Sequence, residues 1–368
     1  MCGLKDLSIS ELIELASRFQ LDGNATIVEP FGNGNVNDTF LIRTDSGNLY
    51  TLQRINHDVF KDPVSLMDNF ARVTAHLSQK NIDGQTTLQT LVLVPAQDGA
   101  SYLTGEHGNY WRGTEYVPDG LSLEVPESRE HAYEAAYAFG DFQYQLRDLP
   151  GDPLIETIPD FHNTESRYDA FKKALEMDVC GRAGEASDLI SFVQKNDHLA
   201  GLIRYADFPT RTVHNDTKLN NVLLNKQTGK GVCVVDLDTV MPGCVLHDFA
   251  DLVRTAACSS EEDEPDVSKI GFMPERFVSL VDGYLAGVRD MLDRNEIAHL
   301  SVSPQVITYE LALRFLTDFL QGDTYFKVKR AGHNFERARA QFQLLRSMQE
   351  HASVMEDAVA ASLASAAC

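Results

Sequence analysis

The chain has 368 residues, 43% of them hydrophobic, which is enough for one large domain or two ordinary ones. Its formal net charge of −22 disfavours wrapping nucleic acid or docking on anionic membranes, because phosphate would be repelled rather than neutralised. A nucleotide is not excluded, since metal ions and a few local cations can hold its phosphates.

The opening stretch MCGLKDLSISELIEL lacks the basic start and apolar centre of a signal peptide. It predicts an amphipathic helix with Leu12, Ile13, Leu15, Ala16 and Phe19 on one side and Ser10 as cap. From about 25 to 120 the pattern is mostly strands. ATIVEPFGNGNVNDTFLIRT predicts two strands around a Gly/Asn turn, and SGNLYTLQRIN a third. Residues 63–80 have helical spacing, with Pro63 suited to a first turn. TLQTLVLVPA and NYWRGTEYVP predict two more strands, so a small sheet carrying one helix is expected. The single tryptophan, Trp111, reads as core.

After PDG at 118–120 the texture changes, and a boundary is expected near residue 118, dividing the chain into 1–118 and 119–368. Residues 128–148 and about 164–204 predict helices. A β-rich island spans 210–243, and helical patterns return from about 248 and dominate from 273. EEDEPD at 261–266 reads as a solvated loop, and the Ala/Ser-rich tail as a helix end prone to fray. The six cysteines form no C-x-x-C pair and read as free thiols of a reducing compartment, with the cytoplasm as the expected location. No apolar run of 18 residues predicts a membrane span.

The island carries the chemistry. Val222-Leu223-Leu224 and residues 231–235 are two apolar runs joined by NKQTGK, a hairpin signal with Gly229 in the turn. HNDTKLNN (214–221) leads into the first strand and DLDT (236–239) leaves the second, so both polar clusters lie at one end of the hairpin. Asp216, Asn221, Asp236 and Asp238 are expected to converge there. Three carboxylates and a carboxamide repel one another without a cation, and hard oxygen donors suit Mg²⁺ that shares its shell with phosphates. Lys218 would be a poor neighbour for a protein-only metal cage, but fits if an anion also binds. Metal, lysine and a spare aspartate together can move a phosphoryl group. The bland reading of the octet alone is a polar turn, since H-x-D and Asn pairs are common.

H-x-D-x-K-x-x-N followed by a hairpin and an Asp resembles the catalytic and metal loops of the protein-kinase-like fold. The closest likeness is to the aminoglycoside-phosphotransferase-like branch, which includes choline kinases and sugar kinases, and within it to the N-acetylhexosamine 1-kinases. FGNGNVNDTF, YTLQRIN, HNDTKLNN, VVDLDTVMPG, HDFADLVR and RFLTDFLQGDTYFK carry it, from residue 31 to residue 327. The resemblance implies an α+β, two-lobed protein. A small antiparallel sheet with one helix would hold ATP, and a larger helical lobe would hold the acceptor.

By that likeness Asp216 would orient the attacking hydroxyl and take its proton, and Lys218 would approach the transferring phosphate. Asn221 and Asp236 would hold Mg²⁺, with Asp238 either a second ligand or a loop cap. His214 is expected to support the loop, and Asp248 and Asp251 to cap free N–H groups at a helix start. Gly32, Gly34 and Asn35 would close over the phosphates, although the third glycine of the kinase pattern is absent. Arg54 stands where kinases carry a strand lysine, with Asp68 or a neighbour as its carboxylate. The backbone of Glu115 to Val117 would take the adenine edge. Arg314 and Tyr325 are the expected sugar-binding residues, with Thr217 and Asp216 beside them.

The expected reaction moves the ATP γ-phosphoryl to the anomeric hydroxyl of N-acetylglucosamine or N-acetylgalactosamine, in a monomer or small homo-oligomer. Choline, an aminoglycoside or an amino alcohol is the alternative acceptor, and the acidic balance suits such a cation. A metallohydrolase built on His214, Asp216, Asp236, Asp238 and His247 is a rival of another class, against which Lys218 counts. A silent kinase-like binding module is the third.

Overall fold

The computed structural model describes residues 7–32, 36–105, 108–262 and 264–366. Helix α1 (Ile9–Ser17) begins two residues earlier than a cap at Ser10 would place it. Ser8 is the cap: its hydroxyl accepts from the Glu11 N–H, and Glu11 accepts in return from the Ser8 N–H. Strands β1 (Ala25–Pro30), β2 (Asp38–Thr44), β3 (Leu49–Ile55), β4 (Leu93–Val94), β5 (Leu103–Thr104) and β6 (Tyr110–Glu115) form one antiparallel sheet. Its order is β1-β2-β3-β6-β4, with β5 also on β6. Helix α2 (Pro63–Ile82) is capped by Asp62 and carries Pro63 in its first turn.

TLQTLVLVPA supplies only the two-residue β4 instead of a full strand. Its start is drawn away, because the Gln89 N–H donates to Val232 O in the second half of the chain. Alternation along β3 sorts the sheet into two faces. Tyr50 and Leu52 share a core with Trp111, Leu12 and Leu15, the last two on α1. Thr51, Gln53 and Ile55 point the other way, where Ile55 packs with Leu66 and Phe70 of α2.

Past residue 118 the short strand β7 (Gly120–Leu121) joins a second sheet. The expected β-island is two small sheets, not one, because HNDTKLNN separates their strands. Strands β8 (Arg211–Val213) and β11 (Met241–Gly243) pair with each other. Strands β9 (Val222–Asn225) and β10 (Gly231–Val234) form the predicted hairpin, with Gly229 at φ +70° and β7 on the far side of β9.

The remainder is helical: α3 (Arg129–Leu146), α4 (Thr164–Met177), α5 (Ser187–Lys195), α6 (Val245–Ala256), α7 (Pro274–Val288), α8 (Arg294–His299), α9 (Ser303–Gln321), α10 (His333–Glu350) and α11 (Ala352–Ala366). Helices α3 and α7 approach closely at glycines. A Cβ on Gly140 would stand 2.7 Å from Tyr284 O, and one on Gly287 2.5 Å from Tyr137 O. Cys233, Cys244 and Cys258 are buried free thiols, while Cys180 is exposed. No described helix is long and apolar enough to cross a membrane.

Candidate active site

HNDTKLNN folds as a loop between β8 and β9 because its backbone is gripped from below. Asp248, on α6, accepts from the N–H groups of His214 (Oδ2, 2.7 Å) and Asn215 (Oδ1, 2.7 Å). It does not cap its own helix start, as the sequence suggested. Gln143 Nε2 donates to the same carboxylate at 2.6 Å, and Tyr284 in turn donates to Gln143 at 2.6 Å. The buried Asp248 charge is thus spent on the loop. Asp251 pairs instead with Arg254, 2.8 Å away.

His214 is fully buried and edge-on to Phe139 and Phe142. Its Nε2 donates to Val235 O at 2.9 Å, and its Nδ1 accepts from the Asp216 N–H at 3.2 Å. It therefore joins the loop to the end of β10, the support role expected of it. Asn215 sits at φ +65°, a region a non-glycine enters at a cost, which Asn tolerates better than most.

Asp216 is brought together with Lys218 and Asn221. Lys218 Nζ lies 3.4 Å from Asp216 Oδ1, and Asn221 Nδ2 donates to Asp216 Oδ2 at 3.1 Å and to its backbone carbonyl at 2.8 Å. The recessed setting of Asp216 would raise its carboxyl, but Lys218 outweighs this and holds it below the ordinary carboxylate range. Asp216 and Glu262 push Lys218 well above an ordinary lysine, so its ammonium charge is secure.

Asp236 follows β10 at φ +60° and is open to solvent. Among the described residues it has no ion pair and no side-chain hydrogen bond. Its carboxyl is pushed up to about 6, first by the protein mass around it and then by the charges of Asp238 and Asp216. A carboxylate so placed gains most from a cation.

Asp238 corrects the expected ligand set. One of its oxygens takes the Arg112 guanidinium in a buried ion pair, and the other accepts from Asn37 Nδ2 at 2.5 Å. Both oxygens are thus already engaged by protein groups. Among the described residues no three Asp, Glu, His or Cys groups form a metal cage by themselves. What remains, Asp236 with Asn221 and Asp216, fits an ion that takes its other ligands from phosphate and water. His247, needed by the hydrolase reading, is buried against the rings of His162 and Tyr205.

The sheet departs from expectation at Arg54, which lies on the Tyr50 and Leu52 face and pairs with Asp38 across the β2–β3 register. Asp68 stands near Arg72 instead, at 3.9 Å. The groups that face the second half are Gln53 and Arg112, joined by Arg112 Nε to Gln53 Oε1 at 2.9 Å. The Arg112 guanidinium lies 4.2 Å over the Phe70 ring on its way to Asp238. Sequence reasoning missed this arginine, although a charge amid apolar alternation in NYWRGTEY was its signal.

Gly32 has φ +75° and open space about its α-carbon, whereas Gly34 and Asn35 lie outside the described residues. The Glu115 N–H donates to Val92 O and the Tyr116 N–H to Leu49 O, while the N–H of Val117 has no protein acceptor among the described residues. Thr217 is fully buried and its hydroxyl donates to Asp248 O at 2.5 Å, so it serves the loop and not an acceptor. Arg314, on α9, is half-buried between the Phe161 and Phe326 rings, 5.6 Å from each, and has no hydrogen bond or ion pair among the described residues. Tyr325 is exposed and edge-on to Phe326. A shallow cleft beside Lys218 is lined by Asn220, Glu124, Arg254, Glu262 and Gln341 among others.

A two-lobed fold with these loops defines the protein-kinase-like class of phosphotransferases. Residues 27–271 match the sequence model of the phosphotransferase enzyme family, and the chain belongs to that family. Its fold is similar to an aminoglycoside phosphotransferase from Alicyclobacillus acidocaldarius, at 14% identity and TM-score 0.59, over 98% of this chain and 99% of that one. It is also similar to a microcompartment-associated aminopropanol kinase, at 15% identity and TM-score 0.57, over 95% and 98% of the two chains. A third likeness is to amicoumacin kinase in complex with AMP-PNP and Ca²⁺, at 14% identity and TM-score 0.58, over 92% and 94%.

Proposed function

We propose that this chain is an ATP-dependent kinase that phosphorylates a hydroxyl of a small acceptor, with the anomeric hydroxyl of an N-acetylhexosamine as that acceptor. The observation that carries the kinase reading is Asp236, an exposed carboxylate with no ion pair or side-chain hydrogen bond among the described residues, beside the Asp216–Lys218–Asn221 group. Asp216, kept ionised by Lys218, would orient the hydroxyl and accept its proton. Lys218 would meet the charge that develops on the transferred phosphoryl. Asp236 and Asn221 would hold Mg²⁺, which when bound neutralises phosphate charge. In this reading the nucleotide belongs to residues 1–118, with Gly32 near its phosphates and the Val117 N–H at the adenine edge. The acceptor belongs to 119–368.

The sugar is supported by the stretches DLDTVMPG and RFLTDFLQGDTYFK and by Arg314, an uncommitted guanidinium stacked between two rings. A second reading is favoured by one feature: Glu124, Glu261 and Glu262 line the cleft beside Lys218, which suits a cationic acceptor. The named likenesses to an aminopropanol kinase and an aminoglycoside phosphotransferase agree with it.

One experiment separates the two. The protein is incubated with Mg·ATP and, in parallel, N-acetylglucosamine, N-acetylgalactosamine, choline, aminopropanol and an aminoglycoside. ADP release is followed and the product phosphate is located by NMR. Phosphate on C1 of the hexosamine is expected. Turnover only with the amines overturns the sugar assignment. Asp216→Asn is expected to abolish turnover while ATP still binds, and near-normal kcat in that variant overturns the base.

A further inference from the structure

The peptide unit between Asn215 and Asp216 is held at both ends by histidines. His214 Nδ1 accepts from its N–H, and His162 Nε2 donates to its carbonyl at 2.8 Å. His162 lies in the segment between α3 and α4, buried, and no motif of the octet points to it. Its Nδ1 is 3.0 Å from Glu310 Oε1 on α9, and the Thr164 hydroxyl donates to Glu310 Oε2 at 2.7 Å.

The Asn215 carbonyl can only accept, so Nε2 carries hydrogen, and an ionised Glu310 places a second hydrogen on Nδ1 and makes the ring an imidazolium. Burial would raise the Glu310 carboxyl, but His162 pulls it down to about 2, in keeping with an ion pair. The orientation of a peptide plane sets φ of the residue that follows, and here that residue is Asp216. Asn215, in its left-handed conformation, would otherwise relax at this same peptide. Glu310 stands one helical turn before Arg314, on the same side of α9.

We propose that the His162–Glu310 pair is a positioning device for phosphoryl transfer: it fixes the peptide plane ahead of Asp216 and ties the Arg314-bearing helix to the catalytic loop. The proposal rests on Asp216 as the base. Neither residue touches a reacting atom. Their loss therefore acts on kcat, through the aim of Asp216, and not on nucleotide binding.

The test uses the full chain carrying His162→Gln, His162→Leu or Glu310→Gln, each shown to be folded by its unfolding midpoint. Two readouts are taken: steady-state kinetics with Mg·ATP, and hydrogen exchange of the peptide containing residues 213–221. Expected is a fall in kcat of about tenfold or more in His162→Leu, with KM for ATP changed less than about threefold. His162→Gln keeps one donor for the Asn215 carbonyl and should recover part of the loss. Loop exchange should quicken by about tenfold in His162→Leu while α7 is unchanged. Unchanged loop exchange in the folded variants overturns the proposal, as does an equal loss of kcat in His162→Gln and His162→Leu. If the unsubstituted protein turns over no acceptor, the kinase reading fails separately, and the exchange comparison still decides whether the pair holds the loop.

Discussion

Arg112 and Asp238 form an ion pair whose side chains are both buried, one on β6 and the other just after β10. Removing one member of such a pair strands the other in a poorly solvating interior, whereas replacing both with apolar groups need not cost much. Asp238→Leu is therefore expected to lower unfolding stability by about 3–5 kcal/mol, read from urea melts. Adding Arg112→Met should restore most of that loss, and a double variant as weak as the single one would show the pair is not the cause. Asp216, Lys218, Asn221 and Asp236 were legible because their chain spacing about one hairpin sets where they meet. Asp238, open in the sequence between a second ligand and a loop cap, could not be placed from spacing because its partner lies over a hundred residues away, on a strand whose facing is set by sheet alternation. Arg54 was misplaced for the same reason: its neighbour on the adjacent strand, Asp38, claims it.

Helices α3 and α7 owe their closeness to glycines on facing sides. Gly283 and Gly287 are four apart and share a face of α7, and a Cβ on Gly283 would collide with Tyr133 O on α3. A backbone oxygen cannot swing aside as a side chain can. Gly283→Ala is expected to cost about 1–3 kcal/mol from overpacking, although alanine is the better helix former. Equal or higher stability in urea would mean the helices can part without penalty. At the end of α9, Asp318 accepts from the N–H groups of Thr324, Tyr325 and Phe326 and from Asn334 Nδ2. That carboxylate shapes the loop that displays Tyr325. The helices themselves were readable from periodicity, but Gly-x-x-x-Gly in α7 has no meaning until a partner helix is known.

Acid should unfold the whole molecule from a definite place. His247 is fully buried, and neither ring nitrogen has a hydrogen-bond partner among the described residues. Burial, with the neighbouring His162 adding to it, drives its ring down to about 3 from an ordinary 6.5. Between those values the unfolded chain binds a proton that the folded chain refuses, so stability falls as pH drops through this window. The slope is at most about 1.4 kcal/mol per pH unit for one proton. Glu310 adds to the loss lower down, since its folded value near 2 lies below the ordinary 4.5. His247→Phe should flatten the fall in the urea midpoint between about pH 6.5 and pH 5, above the range where Glu310 titrates. An unchanged slope would clear His247 of the effect.

From sequence alone the sheet with its helix, the mainly helical remainder and the hairpin with the polar clusters at its end were determined, because each depends on contacts between chain neighbours. Periodicity, turn glycines and loop spacing act over a few residues and leave a local trace. The tertiary structure decided which carboxylates are free. Asp248 is consumed by the loop it carries, Asp238 by Arg112, Thr217 by Asp248 O and Arg54 by Asp38, while Asp236 stays exposed and, among the described residues, unpaired. A charged side chain shows its chemistry by its type, but its function depends on whether a distant partner has already neutralised it, and only folding brings that partner within reach.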